Sequence, residues 1–372
     1  MDRNGAFTKF RWICTVIGLI FSVADIGSDL LVSVQYFKEG KYTWFALTLS
    51  FIIIASLCTH VFSYVWFKDD KENEELPKGC LVVVHLLQLG FFTRYFKLLK
   101  ASFRSVWLQD SKPNSSQTQG HFGLAADLSM LRLLETFLES VPQLILQLYI
   151  VLQYQHASVI QYISMVVSFL NIAWTTVDYW RCLRRSLPNT LEMPSGFPTA
   201  VYLLYKVLTI SARILSLTLL IMLHIYCIPA MVLMWLVGTV WAHVIDTDFC
   251  TSPCLEYFYR GIVGFILIFT FFNLQGKKTA VPMTVYYIIS TLLNLSAPIL
   301  LLLLKPMTLG SEFFLPVTAF IVVANAMGLV FLVLYYTALH PRINRIPDEV
   351  DAPGLILRET FTVTRMNRFL NI

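Results

Sequence analysis

Two sets of residues in this chain have types and spacings that could do chemistry. The first is a group of ionisable side chains inside apolar runs. Asp25 and Asp29 stand four apart, hence on one helical face. Asp127, Arg132, Glu135 and Glu139 extend over more than three helical turns, the last three sharing a face, and Asp178 lies in the following run. Each charge at a bilayer centre costs at least ~2.5–3.5 kcal/mol on insertion scales. So many acids with one arginine cannot face lipid: they pair, protonate or line a hydrated furrow. Acids exceed bases, so a furrow would favour cationic groups such as choline or ammonium, with Arg132 available to a phosphate. Pro142, just after Glu139, interrupts the helix and frees carbonyls that can line the same path. Two other readings stay open, structural ion pairing in a scaffold and cation ligation in a passive ion or solute transporter.

The second set is the tetrapeptide Asp348-Glu349-Val350-Asp351, beyond the last apolar run. Executioner caspases of the caspase-3 type read four residues of extended chain, with Asp at the scissile position, Asp three residues earlier and a small residue after the cut. Ala352 follows, Pro347 precedes, and Pro353-Gly354 keeps the segment out of a helix. A cut before Ala352 sheds a tail carrying Leu355, Phe361, Val363, Met366, Phe369 and Leu370 together with Arg358, Arg365 and Arg368. Such a tail is expected to dock on the cytosolic face as an autoinhibitory plug.

These residues need a membrane scaffold. Hydrophobic residues make up 56% of the 372 and charged residues 14%, against roughly 25% charged in a soluble domain. The net charge of +5 comes from basic residues gathered at helix ends, as the positive-inside rule places them, so nucleic acid is not an expected partner. Arg3, Lys9 and Arg11 precede an apolar run too long for a cleaved signal, which implies a retained first helix with a cytosolic N-terminus. Of seven cysteines, Cys250 and Cys254 flank Pro253 in a polar loop and can pair as a disulfide if that loop is extracytoplasmic. No metal-ligand cluster, no Walker loop (Gly276-Lys277-Lys278-Thr279 lacks its leading glycine) and no Gly-x-Ser-x-Gly occurs. The chain reads as neither an enzyme nor a cofactor protein.

Apolar runs near 12–36, 43–67, 80–99, 125–152, 159–183, 201–224, 227–245, 257–276, 283–304 and 313–340 predict an all-α polytopic membrane protein. Ten full crossings would place Arg184-Arg185 and the Lys97–Lys112 stretch outside. Treating the third and sixth runs as re-entrant gives eight transmembrane helices plus two partial ones, both termini cytosolic and the Cys250/Cys254 loop outside. A weak internal repeat pairs 25–36 with 135–149. It divides the chain into 1–110 and 111–226 (each two spans plus one re-entrant helix), four C-terminal spans over 227–341, and a tail from 342 to 372.

The stretch Leu128-Ser-Met-Leu-Arg-Leu-Leu-Glu-Thr-Phe-Leu-Glu-Ser-Val-Pro-Gln-Leu-Ile-Leu-Gln-Leu-Tyr149 resembles the XK-related family. Further matches are Phe62-Ser-Tyr-Val-Trp-Phe67, Thr176-Val-Asp-Tyr179, Arg185-Ser-Leu-Pro188, Tyr259-Arg260 through Phe272-Asn273, and Tyr335-Tyr336 to His340-Pro341. The resemblance covers roughly residues 7–341. It implies a plasma-membrane phospholipid scramblase, latent until a caspase removes the tail, that then exposes phosphatidylserine in apoptosis. Some family members instead pair with other membrane proteins, and part of the family uses a single-span immunoglobulin-type chaperone. The Asp-Glu-Val-Asp segment argues for the caspase-activated branch, with membrane phospholipids and an executioner caspase as partners.

Asn114-Ser115-Ser116 is a glycosylation sequon in a loop assigned to the cytosol. It is expected to stay bare in cells, and a gel shift on N-glycosidase treatment that disappears in Asn114→Gln would overturn this topology.

Overall fold

The computed structural model describes residues 8–69, 78–107, 115–155, 158–186, 193, 196–223, 227–247, 249–250, 252–273, 280–306 and 312–340. Among them there is no strand. The helices are α1 (Lys9–Lys38), α2 (Tyr42–Asp69), α3 (Lys78–Leu86), α4 (Gly90–Trp107), α5 (Ser115–Leu138), α6 (Ser140–Tyr154), α7 (Val159–Ser186), α8 (Phe197–Ile221), α9 (Cys227–Val244), α10 (Pro253–Phe269), α11 (Ala280–Leu304) and α12 (Phe314–Leu334), the last closed by a π turn, Tyr335–Leu339. The caspase segment Asp348–Asp351, the tail and the Asn114 sequon lie outside the described residues.

Local signals set the boundaries that matter. Thr8 caps α1 by accepting the Arg11 N–H at 3.3 Å. Gly40, at φ +72°, supplies the left-handed residue that turns the chain from α1 into α2. Pro142 stands at the third position of α6, where its ring would clash with the carbonyl of Leu138 in a continuous helix. The fourth apolar run, expected as one span, therefore breaks at Glu139.

Among the described residues six helices are each long and apolar enough to cross a membrane: α1, α2, α7, α8, α11 and α12. Their contacts give each a direction. Call the end of the bundle where α1 begins proximal. Arg181 of α7 lies over Phe10 and Arg11 over Phe122 of α5, so α7 ends and α5 begins there. Trp44 of α2 meets both Tyr36 of α1 and Tyr154 of α6 at the opposite, distal end. The α5–α6 pair thus makes one bent passage. Asn294 of α11 meets Arg213 of α8, and Leu301 packs with Leu219, so these two helices run the same way. Tyr335 returns to Tyr202 at 4.9 Å, so α12 runs back and delivers the chain to the proximal end. Both described termini therefore leave from the same end of the bundle. With the shorter apolar α9, the contacts trace eight passages among the described residues.

Two segments dip in and return. α3 and α4 meet at 113° across a short break. His85 and Arg94, on either side of it, both bond Ser63 of α2, at 3.1 and 3.2 Å. The third run is thus bent as a re-entrant element. The second such element is not the sixth run, which forms the continuous 25-residue, largely buried α8. It is α10. Its beginning packs on the last turns of α2, through Trp66 against Phe249 and Phe62 stacked on Phe258. Its end faces Arg213, about two-thirds of the way along α8, and the chain then turns back past Lys206 and Tyr179. Helix ends leave carbonyls without intrahelical donors. Here α8 supplies the donors: Arg213 Nε gives to Ile268 O at 2.7 Å, and Lys206 Nζ to Thr270 Oγ1 at 2.9 Å and Phe271 O at 3.4 Å. Arg213 is buried on this task.

Placing α10 as the re-entrant helix moves the Cys250/Cys254 loop to the proximal end, alongside both described termini rather than opposite them. Glu256 fixes that loop by accepting the N–H groups of Phe249 (3.0 Å) and Cys250 (2.6 Å). Arg260 donates to Thr247 O (2.5 Å), Asp246 (3.0 Å) and His243 Nδ1 (2.7 Å). Cys250 is buried, Cys254 is exposed, and they carry thiols rather than the disulfide allowed by sequence.

α9 and α10 pack backbone to backbone. A Cβ on Gly264 would lie 2.7 Å from the Thr239 nitrogen and one on Gly238 2.8 Å from the Gly264 oxygen, whereas one on Gly261 would meet nothing within 4 Å. Gly264→Ala is expected to lower stability by about 1–3 kcal/mol through overpacking. Gly261→Ala should leave it unchanged or raise it slightly. Thermal unfolding in detergent compares the two, and equal midpoints would contradict the close approach.

Candidate functional site

The structure brings Asp25, Asp29 and Asp178 together along α7. That helix presents a polar stripe (Gln161, Ser164, Ser168, Asn171, Thr175 and Asp178) at alternating spacings of three and four, which keeps the side chains on one face. From Ser158 to Asp178 the stripe covers roughly 30 Å at 1.5 Å per residue, about the thickness of the hydrocarbon core. α1 and α6 close over it.

Asp25 is the centre of the seam. It accepts from Ser140 Oγ at 2.5 Å, Ser168 Oγ at 2.6 Å and Asn171 Nδ2 at 2.9 Å. One turn along α1, Asp29 accepts from Ser164 Oγ at 2.7 Å and Gln147 Nε2 at 3.4 Å. Both carboxylates are at most 2% exposed. Distally the seam continues through Gln161 donating to the Tyr36 hydroxyl at 2.8 Å and Ser158 to Gln35 at 2.9 Å.

Toward the proximal end the seam changes sign. Arg132 on α5 donates to Asp178 Oδ2 at 3.3 Å and to Thr175 Oγ1 at 3.1 Å, and Thr175 donates to Asn171 Oδ1 at 3.4 Å. Room for the guanidinium comes from Gly18 on α1, where a Cβ would stand 2.3 Å from Nη1. Glu139 is buried at the α5–α6 break beside Ser140, whereas Glu135 is half-buried. Asp127 lies apart from the seam: Arg94 of α4 stands 3.8 Å from it and also holds Ser63.

Carboxylates outnumber cations along the seam, and hydroxyls and amides make up the difference. These partners, Ser140, Gln147, Ser164, Ser168 and Asn171, are absent from a reading confined to charges, as is Gln143, which donates to Thr48 of α2 at 3.3 Å. The three-four spacing on α7 and the 140/143/147 spacing on α6 are the signals that find them. Four acceptor atoms, Asp29 Oδ2, Glu139 Oε1, Gln143 Oε1 and Gln147 Oε1, are buried without a hydrogen-bond donor among the described residues. The seam is therefore an acceptor-rich line, suited to cationic or hydrogen-bond-donating groups, and sealed from lipid by α1, α6 and α7. Among the described residues no group of three or more His, Cys, Asp or Glu side chains is placed to hold a metal.

Removing the acceptor at the centre strands buried donors, each worth about 1–3 kcal/mol when unsatisfied. Asp25→Leu should therefore lower the unfolding midpoint in detergent clearly more than Asp25→Asn, which keeps one acceptor oxygen. The reverse order would show that these bonds do not hold α1 to α7.

Comparison with known proteins shows the family. The family model for XK-related proteins matches residues 13–341. XK-related protein 9 of Tetraodon nigroviridis is 47% identical, covering 98% of this chain and 99% of its own length. XK-related protein 8 of the same fish is 31% identical (93% and 88% covered), and that of Pan troglodytes 32% (96% and 91%). The chain is a multi-pass, all-α membrane protein and belongs to the XK-related family.

Proposed function

We propose that the protein is a passive phospholipid scramblase of the plasma membrane, latent until an executioner caspase cuts after Asp351, which then exposes phosphatidylserine on dying cells. The observation that carries this reading is the α7 seam. A polar line as long as the hydrocarbon core is thick, with acids, amides and hydroxyls in sequence and an arginine near one end, offers a headgroup hydrogen bonds along its passage while acyl chains stay in lipid. Such exchange runs down its own gradient and needs no nucleotide. The unpartnered acceptors favour the ammonium of choline, ethanolamine or serine heads. Arg132 serves the phosphate.

The central part of the seam, around Asp25 and Asp29, is buried, which is compatible with a latent state. The last described residues sit at the proximal end, where His340 accepts from Arg184 of α7 at 2.9 Å. The tail therefore starts beside the cytosolic mouth of the seam in this reading, with both termini cytosolic. While tethered it acts at roughly millimolar local concentration, and cutting reduces that to trace. A single-span immunoglobulin-type chaperone remains a partner to test, as in part of the family.

Purified protein in liposomes decides between this reading and its competitors. Caspase treatment is expected to start loss of leaflet asymmetry for fluorescent lipids, and Asp351→Ala to prevent it. Ion flux without lipid movement would identify a transporter. Neither activity, in folded and cleaved protein, would identify a scaffold.

A further inference from the structure

The seam leaves α4 unexplained. Its inward face, Phe91, Arg94, Tyr95, Leu98, Ser102 and Val106, is buried against α1, α2 and α5. The outward face repeats at four, four, three and four residues: Phe92, Phe96, Lys100, Phe103 and Trp107, with Arg104 beside them. Large aromatics are seldom left open to water, yet Phe96 is 65% exposed and Trp107 44%. Aromatics interleaved with cations on one helical face are the pattern of a helix lying in a membrane surface.

The position of α4 agrees. It emerges from the 113° bend with α3 at the depth of Ser63 and rises to the level where α1 begins. There Trp12 donates to Leu99 O at 3.3 Å and packs on Phe103 and Trp107, while Lys9 stands 4.9 Å over the Trp107 ring. The helix therefore runs obliquely along the proximal membrane boundary. Among the described residues no carboxylate pairs with Lys100 or Arg104. The tail beyond Asp351 is a poor cover for this face on charge, carrying three arginines against one glutamate.

We propose that the outward face of α4 binds anionic phospholipid headgroups of the leaflet at the proximal end, the aromatics entering the acyl boundary while Lys100 and Arg104 hold the negative charge. This site does not require that lipid crosses the protein. It would enrich anionic lipid beside α1 whether the bundle scrambles, conducts ions or does neither.

The test uses the full chain in phosphatidylcholine liposomes doped with equal fractions of brominated-chain phosphatidylserine or brominated-chain phosphatidylcholine. The difference in tryptophan emission between the wild type and Trp107→Phe isolates the Trp107 signal. Brominated phosphatidylserine is expected to quench it several-fold more than brominated phosphatidylcholine at low salt. The gap should close near 1 M salt, where the Debye length is about 3 Å, and should shrink in Lys100→Gln/Arg104→Gln. Equal quenching by both headgroups would overturn the proposal, as it would if the acidic stretch Asp69–Glu75 covers these cations instead. Absence of quenching by either lipid would also overturn it, by placing α4 away from the bilayer. The wild-type salt series decides the question even if the double variant does not fold.

Discussion

A carboxylate inside hydrocarbon must be given donors, and the arrangement of the N-terminal half follows from that requirement. Asp25 and Asp29 sit too deep in α1 to reach water, and among the described residues no lysine or arginine is bonded to either. Their donors come instead from α6 and α7. Ser140 and Gln147 project from one helix, Ser164, Ser168 and Asn171 from the other, so three helices are held in one register by side chains that none could bury alone. A buried charge left without its partners is costly, so such a group favours the arrangement that satisfies it. This seam fits that description, since a rotation or slip of α1 against α7 would strand acids and donors together.

The C-terminal half meets the same rule with the signs reversed. There the unsatisfied groups are backbone carbonyls, exposed because α10 stops at mid-depth, and the remedy is cationic: Arg213 and Lys206 on the central α8. Non-helical backbone survives at membrane depth only where protein or a watery cavity covers it. A buried α8 crossed by α6, α7, α11 and α12 provides that cover. The two halves thus pair acids with neutral donors and neutral acceptors with cations. Arg132, bonded to Asp178, is where opposite formal charges meet along the seam.

Much of this was legible in the residues. Strong apolar runs give the helical class, and the stretch from Leu128 to Tyr149 with the other quoted segments carries the family resemblance. The intramembrane acids pointed to the seam because charges in lipid demand an explanation. The missed parts have physical causes. Sequence reading ranked partners by formal charge, so serines and amides on α7 passed as helix filler, although their spacing placed them on the face that meets α1. Asp127 shares a helix with Arg132, which suggests the seam, but it faces Arg94 at 3.8 Å. The positive-inside rule makes one of the later runs partial, and the sequence reading places it at α8. That rule weighs only which loops carry the basic residues, so it fixes how many of the later runs are partial and not which one. The choice is made by Arg213 and Lys206 of α8, which meet the end of α10 inside the bundle. Moving the partial helix to α10 also moves the Cys250/Cys254 loop to the side of the described termini.

The central claim is that the seam holds the bundle together and also carries headgroups. Asp29 and Glu139 are the informative positions, because each combines a buried carboxylate with an acceptor atom that no described donor occupies. The most direct measurement is the initial scrambling rate in liposomes, after tail removal, for Asp29→Asn/Glu139→Gln in protein whose thermal unfolding matches the wild type. The account predicts that the rate falls at least about tenfold, equivalent to about 1.4 kcal/mol in the barrier to headgroup passage. An unchanged rate in that folded, cleaved variant would contradict it.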